Sequence, residues 1–181
     1  MSKTKIAIQG ELGAYSHIAA KEFFKDLDVK TCLTFEEAFK TAFENENYKI
    51  IIPLENSLAG RVADIHYLLP KYKLQIHAEH YQKVEHNLLC RQEADLKDIK
   101  YVRSHAQAIG QCQKMINELK FKTIISADTA GSAKDLSASK DKSIAAIASQ
   151  LSAEIYNLKI LKKNIEDESG NVTRFLIMGK N

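Results

Sequence analysis

The chain has 181 residues, of which 45% are hydrophobic and 27% charged, and it carries a net charge of +3. That composition suits a globular protein with a sizeable core, arranged as one domain or two small lobes. Its lysines are interspersed with acids rather than gathered into a stripe, which argues against nucleic-acid binding, and no run approaches the roughly 18 apolar residues of a membrane span. Cys32, Cys90 and Cys112 are widely spaced, lack a CxxC pattern, and read as thiols in a reducing compartment. Met1-Ser2-Lys3-Thr4-Lys5 contains no apolar signal-peptide core, so a cytoplasmic protein is expected.

Lys5-Ile6-Ala7-Ile8 predicts a buried strand and Gly10-Glu11-Leu12-Gly13 a tight loop. The helix that follows carries Ile18, Ala19, Phe23 and Phe24, with Ser16 as its N-cap. A glycine loop at a helix start offers backbone N–H groups and the positive end of a dipole. Gly13, Ala14, Tyr15 and Ser16 are therefore candidates for holding a carboxylate, or form only a turn. The loop has neither GxGxxG spacing nor a P-loop lysine. A strand at Thr31-Cys32-Leu33 comes next. Thr34 and Glu37 then make a capping box for a helix bearing Phe35, Ala38, Phe39 and Phe43.

Ile50-Ile51-Ile52 is another strand, followed by a helix from near Ser57 with Val62, Ile65, Leu68 and Leu69 on one side and Pro70 at its end. Glu55, Asn56 and Ser57 at this junction could contact a ligand or cap the helix. Alternation at Leu74, Ile76, Ala78, Val84, His86 and Leu88 predicts extended strands that cross between lobes. Lys100-Tyr101-Val102 leads into a helix from about Ser104 to Leu119. Ile109, Cys112, Ile116 and Leu119 form its buried stripe, while Ser104, Gln107 and Gln111 share a different face. Uncharged polar groups there suit hydrogen bonds to a ligand, or simply meet solvent. His105 at the helix start is a possible acid–base group or a structural one.

Phe121–Ile125 leads into a helix near Asp128, and Ser143–Ile147 into Ala148–Tyr156. The last strand, Thr173-Arg174-Phe175-Leu176-Ile177-Met178, sets a hydroxyl beside a guanidinium. His77 and His80 have no third partner at metal-ligand spacing, so no metal is expected; His17, His66 and His86 carry no signal of their own. Strands alternating with helices predict an α/β fold of two lobes with mixed, mainly parallel sheets flanked by helices. The first lobe comprises residues 1–78 and 164–181, the second 79–163.

Five segments, in order, give the chain a resemblance to the prephenate dehydratases. They are Gly10-Glu11-Leu12-Gly13-Ala14-Tyr15-Ser16, Pro53-Leu54-Glu55-Asn56-Ser57-Leu58-Ala59-Gly60-Arg61-Val62 and His86-Asn87-Leu88-Leu89. Ser104-His105-Ala106-Gln107-Ala108-Ile109-Gly110-Gln111-Cys112 follows, then Ile165-Glu166-Asp167 with Asn171-Val172-Thr173-Arg174-Phe175. Glu11 and Ala106 stand where the family usually has Pro, and Ala127-Asp128-Thr129-Ala130 replaces a more usual Ser-Thr-Ala. The family's common ACT module, which senses phenylalanine, has no counterpart in these residues.

The resemblance implies a type II periplasmic-binding-protein-like fold with the active site in the inter-lobe cleft. It also implies conversion of prephenate to phenylpyruvate without cofactor or metal. Arogenate dehydration and non-catalytic capture of a small anion are the alternatives. Catalytic positions are expected at Thr173, Asn56, Ser104, Gln111 and Glu55. Contacts to substrate are expected from Arg174, Ser57, His105, Gln107, Phe175 and the loop residues Gly13, Ala14, Tyr15 and Ser16. Thr173 would donate to the departing ring oxygen, with the proton relayed through water from His105 or Glu55, and Arg174 would anchor a carboxylate. A homodimer is the family tendency, and neither nucleic acid nor membrane is an expected partner.

Overall fold

The computed structural model describes residues 3–180, which fall into two compact units, residues 3–84 with 170–180, and Glu85–Ser169. These junctions lie beyond the expected 78/79 and 163/164. The reason is that the strand Gln75–Lys83 stays paired along its length with the strand Val172–Gly179.

The first unit contains β1 (Thr4–Gln9), α1 (Tyr15–Phe23), β2 (Leu27–Cys32), α2 (Phe35–Glu44), β3 (Tyr48–Asn56), β4 (Gly60–Arg61), α3 (Ala63–Tyr72) and β5 (Gln75–Lys83). Its sheet is completed by the C-terminal strand Val172–Gly179, in the order β2, β1, β3, C-terminal strand, β5, with β4 on β3. The apolar runs of β1 and β3 are continuous because both sheet faces are covered. Ile6, Ile8, Ile51, Phe175 and Ile177 pack against Ala19 and Ala20 of α1. Ala7, Ile50, Ile52, Leu176 and Met178 pack on the other face, against Phe39 of α2 and Ile65 of α3. Each fully buried Ile or Phe contributes roughly 1.5–3 kcal/mol relative to exposure.

The second unit contains β6 (Asn87–Cys90), β7 (Tyr101–His105), α4 (Ala106–Gly110), α5 (Gln113–Glu118), β8 (Lys122–Ser126), α6 (Thr129–Ala138), β9 (Ile144–Ala148), α7 (Gln150–Ile155) and β10 (Lys159–Lys162), a strand the sequence pattern did not announce. The C-terminal strand Val172–Gly179 is β11. The sheet order is β10, β6, β9, β7, β8. Leu88, Val102 and Ile147 contribute to one core with Ile109, Cys112 and Ile116; Leu89, Ala146 and Ala148 contribute to another with Ala133 and Leu136.

Both sheets are mixed rather than mainly parallel. Strands β1, β2 and β3 pair in parallel, as do β7, β8 and β9, but β11, β5, β6 and β10 all join antiparallel.

Four local expectations change. The N-cap of α1 is Ala14; Ser16 lies inside the first turn, buried, its hydroxyl donating to the Gln9 carbonyl at 3.4 Å. No helix starts at Ser57, because Asn56 Oδ1 accepts from the backbone N–H groups of Leu58 (3.1 Å) and Ala59 (2.9 Å), closing a hairpin with β4. Gly60 completes that hairpin at φ 81°, in the left-handed region that favours glycine. Ser104 lies within β7 instead of starting a helix, and the expected helix to Leu119 is broken at Gln111-Cys112 into α4 and α5. The α2 cap does hold, with Thr34 Oγ1 accepting from Glu37 N–H at 3.1 Å, although Glu37 reaches back to Leu33 N–H rather than to Thr34.

Candidate active site

Strands β1 and β3 run parallel and end at Gln9 and Asn56, the edge of an α/β sheet where ligands bind. The antiparallel β11 begins there, pairing Thr173 with Asn56 on one side and with Gln82 on the other. Asn56 is fully oriented. Its Nδ2 donates to Thr173 Oγ1 at 2.9 Å and to Asn171 Oδ1 at 2.6 Å, while its Oδ1 holds the hairpin turn. Because Thr173 Oγ1 accepts from the amide, its own hydrogen is directed away from Asn56, and accepting makes the hydroxyl a stronger donor. Thr173 is 8% exposed and Asn171 only 1%. Asn171 belongs to the quoted motif but was not singled out; its value depends on a partner 115 residues away. Opposite Thr173, Gln82 is buried, and among the described residues no donor reaches its Oε1.

Arg174 faces the other way. Thr173 shares its sheet face with Phe175 and Ile177 beneath α1, whereas Arg174 shares the α2–α3 face with Leu176 and Met178. There its guanidinium is held by Glu55 Oε1 at 3.1 Å and by the Glu79 carboxylate on β5 at 2.5 and 3.2 Å. These bonds hold the Glu79 carboxyl below its ordinary range and push the Arg174 guanidinium higher still. Glu55 and Arg174 thus form one cross-strand ion-pair cluster, separated from Thr173 by the pleat. Phe175 is a further correction: at 2% exposure it belongs to the core under α1.

Around this edge the other expected contacts are largely committed to the fold. Gly13 N–H donates to His17 Nδ1 at 3.0 Å, and Ala14 N–H to the Glu11 carbonyl at 3.1 Å, so these two loop amides serve the turn. Burial, with Lys21 adding repulsion, lowers the His17 pKa and favours the neutral ring that accepts this bond. Tyr15 starts α1. Ser57 exchanges backbone and side-chain hydrogen bonds with Val172 and Gly170, fastening β3 to the segment ahead of β11.

In the second unit Ser104 is fully buried and donates to the Ile147 carbonyl at 2.7 Å, tying β7 to β9. That places it in the sheet rather than against a ligand. His105 caps α4, its Nδ1 accepting from Gln107 N–H at 3.3 Å, and both residues are exposed. Gln111 sits at the break between α4 and α5. Its Oε1 lies 2.9 Å from Nε2 of His86, which opens the third segment of the resemblance but was given no role there. No group of three or more His, Cys, Asp or Glu suited to a metal occurs among the described residues. None of their helices is long and apolar enough to cross a membrane.

A profile of the family described as prephenate dehydratase matches residues 6–181. The chain belongs to the prephenate dehydratase family. It is 38% identical over 97% of its length to a bifunctional N-acyl-homoserine lactone acylase/prephenate dehydratase of Komagataeibacter europaeus, covering 62% of that protein. It is 40% identical over 99% of its length to arogenate dehydratase/prephenate dehydratase 1 of Arabidopsis thaliana, covering 46%. The crystal structure of a Staphylococcus aureus prephenate dehydratase superposes with a TM-score of 0.82 at 25% identity, over 98% of this chain and 66% of that one. The chain therefore spans between about half and two thirds of these relatives. Among the positions assigned through the prephenate dehydratase resemblance, the structure brings Asn56 and Thr173 into direct contact and sets Glu55 with Arg174 on the opposite face.

Proposed function

We propose that this chain catalyses the decarboxylating dehydration of prephenate to phenylpyruvate, a carbon–oxygen lyase reaction of phenylalanine biosynthesis. The observation that carries the proposal is the Asn56–Thr173 hydrogen bond, which sets a polarised hydroxyl at the ligand-binding edge of the first sheet. In the reaction the bond from the ring to its carboxylate breaks, and that electron pair enters the ring. The bond to the ring hydroxyl breaks with its pair on oxygen, which gains one proton and leaves as water. Aromatisation drives both events, so no cofactor is required.

Threonine is too weak an acid to give up a free proton at neutral pH. Thr173 instead donates to the departing oxygen while recovering a proton from solvent water. One such donor aimed at developing charge is worth about 2.7–4 kcal/mol, roughly 10²–10³ in rate. Glu55 is no relay for this proton, because the pleat sets it with Arg174 on the other face. Gln111 supplies an amide donor to the oxygen-rich substrate.

Arogenate dehydration is the second reading, favoured by the plant relative named for both substrates. Prephenate and arogenate differ only in a keto against an amino-bearing side chain, leaving the ring chemistry unchanged. The deciding experiment incubates the purified protein with each substrate and follows phenylpyruvate or phenylalanine. The higher kcat/KM names the substrate. Saturable binding of either compound without product would replace the enzyme with a small-anion binding module. The same reading takes the protein to be cytoplasmic and homodimeric; light scattering on the eluted protein tests the dimer.

A further inference from the structure

We propose that His86 is a positioning residue for Gln111, fixing which end of the Gln111 amide faces the substrate. The inference rests on the dehydratase reading and deepens it. His86 stands just before β6, 3% exposed, with Nε2 2.9 Å from Gln111 Oε1. Burial lowers its pKa, which favours the neutral imidazole at neutral pH. A neutral ring bonded to a carbonyl oxygen must carry its hydrogen on that nitrogen, so Nε2–H donates and Gln111 Oε1 accepts. With Oε1 on that nitrogen, the oxygen is turned to His86, and the amide nitrogen with its two hydrogens becomes the opposite end. For a substrate whose polar groups are carboxylate and carbonyl oxygens, that is the useful orientation.

The anchor is itself anchored. His86 N–H donates to Glu166 Oε2 at 2.9 Å, and the His86 carbonyl accepts from Ile165 N–H at 2.9 Å. The next residue, Asp167, donates its N–H to the Gln111 carbonyl at 2.7 Å and caps α5 through Lys114 N–H at 3.0 Å. Residues 165–167 thus grip both members of the pair, His86 by its backbone and Gln111 by its carbonyl. A surface glutamine without ligand duties would not need to be held from two distant chain segments.

The test compares His86→Phe, His86→Asn and His86→Gln in steady-state assays on whichever of prephenate and arogenate the wild type turns over. Phe removes the donor. Asn places its amide near the Nδ1 position, short of Gln111, whereas Gln reaches the Nε2 position and restores a donor. Expected are losses in kcat of about tenfold for Phe and Asn, with the Gln variant recovering most of it, since a misplaced group near the chemistry costs rate before affinity. In a Gln111→Ala background the His86→Phe change should cost no further activity, because a residue acting through Gln111 has nothing left to position. Equal losses in both backgrounds, or activity of His86→Asn within about twofold of the wild type, would overturn the inference. A folding defect in the Phe variant leaves the Asn and Gln pair to decide. A wild type inactive on both substrates would instead bring down the dehydratase reading, and this inference with it.

Discussion

Thr173 and Arg174 are covalent neighbours with opposite fates. On one face of β11, Thr173 meets Asn56 through a single directed hydrogen bond that leaves its own hydrogen to donate. On the other, Arg174 is clamped between Glu55 and Glu79 on the two flanking strands. The period of two in a strand decides which is which, and it separates an apparent hydroxyl–guanidinium pair into one face that carries the hydroxyl and one that carries the ion pairs. A charge already saturated by two carboxylates is a poor anchor for a third anion, however well its sequence position suggests one.

The comparison can be broken most sharply at Thr173. Thr173→Ala should lower kcat by roughly 10²–10³ with little change in KM, since the lost donor acts on charge that develops only in the transition state. Wild-type turnover would remove Thr173 from the reaction. Arg174→Ala comes next and should behave differently: a lower melting temperature, as Glu55 and Glu79 lose their shared cation, with a smaller loss of turnover than at Thr173. A kcat collapse without any change in melting temperature would move Arg174 to the reactive side.

Two smaller effects sharpen the picture. Gln82→Leu, directly across from Thr173, should raise stability by about 1 kcal/mol in denaturant titration, since it removes a buried acceptor that no donor reaches. A destabilised variant would show that Gln82 Oε1 has a partner in solution. Burial holds the pKa values of His17 and His86 below their ordinary 6.5. The unfolded chain therefore binds more protons near and below that pH, and the folded state loses stability as pH falls from 7 through 6 and into the depressed range. Melting temperatures measured across that window should show a shallower slope for His86→Gln than for the wild type.

Much of the fold was legible because its signals are local. The apolar runs at Ile6–Ile8 and Ile50–Ile52, the Thr34 cap and the stripe Ile109, Cys112, Ile116 all stand where period and capping chemistry put them. Less legible were the places where a side chain overrides the period. The Asn56 amide turns the chain into a hairpin where helix was expected, and the chain breaks at Gln111 where one continuous helix was expected. The strand β10 escaped notice for a related reason, since its four residues are all half-buried and show no alternation.

Asn56 and Thr173 stood out by residue type and motif, but their contact spans 117 positions and exists only through antiparallel register. His86 was invisible as a partner of Gln111 because nothing between residues 86 and 111 encodes their distance. The order of residues determined which elements form, which faces are apolar and which family the chain resembles, all properties of spacing along one polymer. Pairing across the sheets decided which polar groups touch, which charge is spent on ion pairs and which hydroxyl is left to donate. Those outcomes follow from register and pleat, which arise only when distant strands bond side by side.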